Sequence, residues 1–248
     1  MCDRHEIAEM LLAQGADVNA IIHACGDPLC NADATRDEKM KLLLLEHGAR
    51  ITVEHVAGNR DREAAKAILD RSVPAQSLNV EEPSHTALAE QLLWAVASCD
   101  PEIVRMCLPY MQRTRDDPWW AYILLHATLP HSFKLILEHG VDPDVVGMGG
   151  QTTLHHLATD DVNEQDRLSF ATILLDAGAS LNKRDPLLQS TPLGWACRWE
   201  RIELVELYLQ RGADALDADA KPWATPLAWA TKSGHRSIIE LLRSHGAK

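Results

Sequence analysis

TPLAWATKSGHRSIIELLRSHGA, residues 225–247, reads as two short helices and the turns that bound them. Thr225 is placed to cap the first helix, and Pro226 suits the first helical position, where a missing N–H costs nothing. Leu227 and Ala230, three apart, share one face. After a turn at Gly234, Ile238, Ile239, Leu241 and Leu242 form a wide apolar stripe on the second helix. Gly246 then accepts the left-handed conformation that stops it. Two helices this short cannot bury both faces alone, so the stretch predicts neighbours on which to stack.

Those neighbours are present in the chain. TPLGWA (191–196) is followed by RIELVELYLQRGAD, and TTLHHLA (152–158) by LSFATILLDAGASLN. The closing phrase recurs earlier as LLAQGADVN (11–19) and LLLEHGARI (43–51). The closing glycines are Gly15, Gly48, Gly140, Gly178, Gly212 and Gly246, with Ser72 and Met111 standing in at two weaker units. The spacings are then 33, 24, 39, 29, 38, 34 and 34 residues. Periods of 20–50 residues signal a solenoid, and about 33 with a T-P-L-H-x-A start resembles the ankyrin repeat family. The resemblance is closest over 150–248, fainter over 1–50 and 88–145, and weak between.

It implies an all-α, slightly curved ankyrin-type helical solenoid of about eight helix-turn-helix units, forming one domain over 1–248. The units fall at 1–18, 19–50, 51–78, 79–115, 116–145, 146–183, 184–217 and 218–248. The first is incomplete, because HEIAEMLLAQG is a second helix without its partner, which leaves Ile7, Met10 and Leu11 partly uncovered. GADVNAIIHAC runs from Gly15 straight toward a helix at residues 21–24, which makes GDPLCNADATR (26–36) a long inter-helix loop. The connection after Gly48 is short as well, so the early units are expected to lack full hairpin fingers. Another first helix is expected around 120–128, and DDVNEQD (160–166) reads as an inserted loop.

Composition narrows the function. The net charge of −12 argues against nucleic acid, which needs a concentrated Lys/Arg surface. The charge is uneven: residues 183–248 hold ten basic and eight acidic side chains, and residues 1–182 hold 14 against 28. Six scattered cysteines read as reduced thiols, and no apolar run approaches the roughly 20 residues of a membrane span. A cytoplasmic protein without a membrane segment is expected.

Chemistry is sparse. His155 and His156, with Asp160 and Asp161 near, form the densest polar cluster. In the resemblance, however, His155 fills a slot whose imidazole bonds to the motif threonine, here Thr152. Cys25, Cys30 and His23 match no compact zinc spacing. GMGG (147–150) lacks the lysine of a phosphate loop and suits a finger tip. No catalytic, metal or cofactor site is therefore expected, and the chain reads as a non-enzyme.

The tryptophans carry more. Trp94, Trp195 and Trp229 share one slot and predict an aromatic ladder between neighbouring helices. Trp199 and Trp223 fall at positions that contact partners in the family. The resemblance implies a protein-binding scaffold, adaptor or regulator whose partner lies along the concave face and the hairpin fingers. Its expected contacts are Met148, Gln151, Arg198, Trp199, Lys221, Trp223, Ala224 and Lys232, with Ser98 and Asp160 nearer the acidic part. The acidic region would speed association with a basic partner. An acidic inhibitor that blocks a basic enzyme or toxin is the second reading, and an enzyme or metalloprotein the third.

Overall fold

The computed structural model describes residues 4–20, 27–70, 84–159 and 164–247. These are helical apart from turns and one isolated antiparallel bridge, Val146 to Thr152; no strand occurs among them. They form two compact bodies, Met1–Gln112 and Arg113–Lys248, each taken by itself below.

The first body contains α1 (Arg4–Ala13), α2 (Pro28–Thr35), α3 (Glu38–Glu46), α4 (Val53–Asn59), α5 (Arg62–Leu69), α6 (His85–Val96) and α7 (Pro101–Cys107), with a 3₁₀ turn at Leu108–Tyr110. Helices α2 and α3, α4 and α5, and α6 and α7 pack as hairpins. The first members, α2, α4 and α6, touch in succession. Val56, Ala65, Ile68, Leu92, Leu93, Ile103 and Val104 are fully buried between them. α1 buries no residue and leaves Ile7, Met10 and Leu11 exposed.

One expectation fails in this body. Residues 28–35 are a helix, not a loop, and the helix expected at 21–24 lies outside the described residues. Asp27 takes the threonine's place: its carboxylate accepts the Cys30 N–H at 2.8 Å, and Pro28 follows at the first helical position. Aspartate caps as well as threonine, so DPLCNA is the start motif under another cap. After Gly48 the connection is short, as expected, with Thr52 already at the next cap.

The second body contains α8 (Trp119–His126), α9 (Pro130–Glu138), α10 (Thr153–His156), α11 (Glu164–Asp176), α12 (Pro192–Arg198), α13 (Ile202–Gln210), α14 (Pro226–Ser233) and α15 (Arg236–Ser244). First helices α8, α10, α12 and α14 contact one another in order, and so do second helices α9, α11, α13 and α15. This is the stacking a helical solenoid requires. Of the insertion expected at 160–166, residues 164–166 belong to helix α11 and the rest lie outside the described residues. In the seam Phe133 meets Phe170 with ring centres 4.9 Å apart, and the buried Tyr208 hydroxyl donates to the Leu154 carbonyl at 3.0 Å. Residues 192–197 of α12 are buried on every side because a helix lies on each flank.

The glycine alignment holds in the backbone. Gly15 and Gly246 have φ of +86° and +95°, and the other four closing glycines lie between +88° and +100°. The following alanine N–H bonds back to the carbonyl five residues earlier at Ala16, Ala49, Ala179, Ala213 and Ala247. That six-to-one bond satisfies a last-turn carbonyl that would otherwise be orphaned.

Candidate protein-binding surface

Fingers here are the loops that join a second helix to the next first helix. The finger before α12 is built around Asp185. Its Oδ1 accepts the N–H groups of Leu187 and Leu188 at 2.8 and 2.6 Å, and its Oδ2 accepts Ser190 N–H at 3.2 Å and the Trp195 indole N–H at 2.8 Å. Burial works to raise the Asp185 carboxyl, but the bonds from Leu188, Trp195 and Ser190 outweigh it and hold it below the usual carboxylate range. Arg184 links this finger to the next by two bonds to the buried Asp217, at 2.6 and 3.0 Å.

The finger before α14 differs. Trp229 is buried, but its indole N–H has no hydrogen-bond partner. Trp223 lies edge-on to the Trp229 ring at 6.1 Å and is 49% exposed. The Arg198 guanidinium sits 4.6 Å from the Trp229 ring centre and 5.7 Å from that of Trp199, which is 38% exposed. Lys232 places its ammonium 5.4 Å from the same Trp229 ring. Helices α12 and α14 and the intervening finger thus gather two half-open indoles and two cations around one buried indole. Arg198 ends α12 and Trp199 is its C-cap, so a helix end fixes both.

Of the contacts expected from sequence, Arg198, Trp199, Trp223 and Lys232 come together here, and Lys221 is exposed two residues from Trp223. Met148 is 90% exposed at the tip of another finger, its N–H donating to the Tyr122 hydroxyl at 3.3 Å. Two expectations are corrected. Gln151 is buried under the glycine turn, and Ala224 is fully buried with its carbonyl accepting the Ser190 hydroxyl at 3.0 Å. Both positions precede a helix cap, where the finger turns inward. Ser98 is half-buried in the first body, and Asp160 lies outside the described residues.

The aromatic ladder is also corrected. Trp195 packs edge-on against His155 at 5.7 Å, and Trp94 is 44% exposed. Sequence reasoning gave Trp229 only a packing role and missed that it is the platform for the surrounding cations. The signal available was Lys232 one turn further along the same helix.

The histidine slot behaves as the resemblance implied. Thr152 N–H donates to His155 Nδ1 at 3.2 Å, and Nε2 is 3.2 Å from the Ser190 carbonyl. Burial drives the His155 pKa down to about 4, so the ring is neutral. The same box recurs at Thr52 and His55, with Thr52 N–H donating to Nδ1 at 3.1 Å. There Nε2 is buried without a hydrogen-bond partner, 3.2 Å from Asp27 Oδ1. Asp27, Cys30 and His55 have ligand atoms within 4.8 Å of one another.

A metal needs a lone pair at Nε2, but Nδ1 already spends its own on a backbone N–H, which leaves the ring proton on Nε2. The trio is therefore a capping histidine beside an acidic cap. His23 and Cys25 lie outside the described residues.

Residues 162–248 match the family described as Ankyrin repeats (3 copies), and so include all of the clustered tryptophans and cations. No curated protein matches the chain.

Proposed function

From the ankyrin repeats it carries over residues 162–248, we propose that this protein is a binding module, a scaffold, adaptor or regulator that holds a partner protein on its fingers and first helices. Ankyrin repeats generally mediate protein–protein interaction, and binding rather than catalysis is what the match supports. The observation that carries the reading is the pair of half-exposed indoles, Trp223 edge-on to the buried Trp229 and Trp199 beside the Arg198 guanidinium that also lies over Trp229. Tryptophan and arginine are enriched in interface hot spots, tryptophan because it buries much area at small entropic cost. Packing beneath Trp223 means little ordering of that ring is left for the partner to induce.

The acidity of residues 1–182 would steer a partner with basic regions and raise its association rate. A cytoplasmic setting fits the thiols of Cys99, Cys107 and Cys197, of which Cys107 and Cys197 are buried with pKa values pushed up by desolvation. Among the described residues no helix is long and apolar enough to cross a membrane.

The test is capture of a partner with the intact chain, followed by Kd measurement for Trp199→Ala and Trp223→Ala. Each substitution is expected to weaken binding by roughly tenfold or more, the scale of a hot-spot tryptophan. Unchanged affinity for both would remove the reading.

A further inference from the structure

The chemistry of the docked segment can be read from the charges around Trp229, taking the docking reading above as given. Arg198, Lys221 and Lys232 have no carboxylate within ion-pair distance among the described residues, although the chain has 36 acidic side chains against 24 basic. Of the nearby acids, Asp217 holds Arg184 and Glu200 lies 3.4 Å from His235, while Asp219 is exposed and outside ion-pair distance of any cation among the described residues. A protein of net charge −12 thus leaves three cations unneutralised around its two half-open C-terminal indoles.

The ring contact arranges one of these cations for use: the Arg198 guanidinium carbon lies 4.6 Å from the Trp229 ring centre. A guanidinium held by an indole makes that contact without using its N–H donors, which stay available to grip a carboxylate by two parallel bonds. The ring contact also restrains the long side chain, so less rotamer freedom is lost on binding.

A second observation points the same way. In the preceding unit a carboxylate, Asp185, serves the indole of Trp195 at 2.8 Å. Asp219 stands at the matching place, ten residues before Trp229 as Asp185 is before Trp195, but it is exposed and the Trp229 N–H is without an acceptor. The last unit lacks the acidic group that its neighbour contains.

We propose that this surface recognises an acidic peptide segment of its partner. An Asp or Glu carboxylate pairs with Arg198 and the ammonium of Lys232, while a neighbouring apolar side chain lies against Trp223 and Trp199. A nucleic acid would use similar groups, but three cations in an acidic chain are too few to compete with the counterions of a phosphate backbone. Acidic residues in the segment are compatible with a partner that is basic elsewhere, because the long-range field and the local patch have opposite sign.

The test is selection of a random peptide library displayed on phage against the immobilised full-length protein. The expected result is enrichment of Asp and Glu beside an aromatic or aliphatic residue. Synthetic versions of the selected peptides should bind about tenfold more weakly to Arg198→Glu and Lys232→Glu variants, and more weakly in higher salt. Arg198→Gln and Lys232→Gln are measured alongside, with unfolding midpoints, so that a folding defect cannot imitate lost recognition.

Selection of basic or neutral peptides, affinity untouched by all four substitutions, or displacement of the peptides by a single-stranded oligonucleotide would each overturn the proposal. If Trp199→Ala and Trp223→Ala abolish peptide binding while the charge variants do not, the docking surface stands and its acidic preference falls. If the tryptophan substitutions have no effect either, both fall.

Discussion

The last two units of the second body superimpose in sequence at an offset of 34 residues, yet one finger is tied down and the other is open. Asp185, Ser190, Gly194, Trp195 and Glu200 correspond to Asp219, Ala224, Ala228, Trp229 and Gly234. In the first set a single carboxylate collects four N–H donors and the serine hydroxyl reaches across to Ala224. In the second the aspartate faces solvent, the indole N–H is unmet, and cations gather over the ring. One backbone plan thus serves two ends, depending on whether polar groups are spent inward on the finger or left outward for a ligand. The inward arrangement adds stability, and the outward one supplies recognition.

The sharpest way to break this comparison is to remove each aspartate in turn. Asp185→Ala strands three backbone N–H groups and the Trp195 indole, and buried donors left without partners cost about 1–3 kcal/mol each, partly relieved by water. A net loss of about 4 kcal/mol is expected in denaturant unfolding of the second body. Asp219→Ala should change stability by less than about 0.5 kcal/mol, as for an ordinary surface position. Equal losses at the two sites would erase the distinction between a tied and an open finger.

Acid tests the same finger from the other side. His155, buried and bonded to Thr152 and to the Ser190 carbonyl, titrates at about 4, whereas in the unfolded chain it would titrate near 6.5. Between those values the unfolded state binds the extra proton, so stability falls as pH drops from about 6.5 toward 4, by about 3 kcal/mol in all. Asp185, held below its ordinary value, adds a further loss where pH falls through the carboxylate range. Urea unfolding at pH 7 and pH 4.5 should show this fall, and His155→Gln should flatten it. A pH-independent midpoint would mean that the histidine is solvated.

A smaller effect separates the units by size alone. A Cβ on Gly194 would run into the Ser190 hydroxyl oxygen, whereas the corresponding pair in the next unit is Ala224 and Ala228, with no hydroxyl at the matching position. Gly194→Ala is therefore expected to destabilise by about 2 kcal/mol despite the better helix propensity of alanine. Adding Ser190→Ala should recover part of that loss, giving a coupling energy on the order of 1 kcal/mol in a double-mutant cycle. Strict additivity would show that the two residues do not share one space.

Much of this framework is legible in the residues, and its limits are physical. The closing glycines announce themselves because a left-handed stop followed by a six-to-one bond tolerates little else, and all six carry positive φ. The Thr-Pro starts are equally plain, since cap and φ restriction coincide in two adjacent letters. DPLCNA escaped because the cap had changed identity while the geometry had not. Gln151 and Ala224 could not be judged from the chain, because whether a finger residue turns in or out depends on the neighbouring finger. The Trp229 cation cluster was out of reach for the same reason: Arg198 and Lys232 lie on different helices, and only stacking brings both over one ring.

The finest distinction lies in the turn between the two helices of each unit. Glu200 has φ of +57° where Gly234 has +79°, and both turns close with the same bond, Arg201 N–H to the Ala196 carbonyl and His235 N–H to the Ala230 carbonyl. A side chain in this region costs roughly 1 kcal/mol that glycine avoids. Glu200 gains in return only a contact with His235 at 3.4 Å, from a carboxylate that is mostly exposed and screened. Glu200→Gly should thus stabilise the second body by up to about 0.5 kcal/mol after the greater unfolded-state freedom of glycine is set against it. Gly234→Ala should destabilise by a similar amount. If Glu200→Gly loses stability instead, the carboxylate holds His235 more firmly than its exposure allows, and the turn is an electrostatic joint between units.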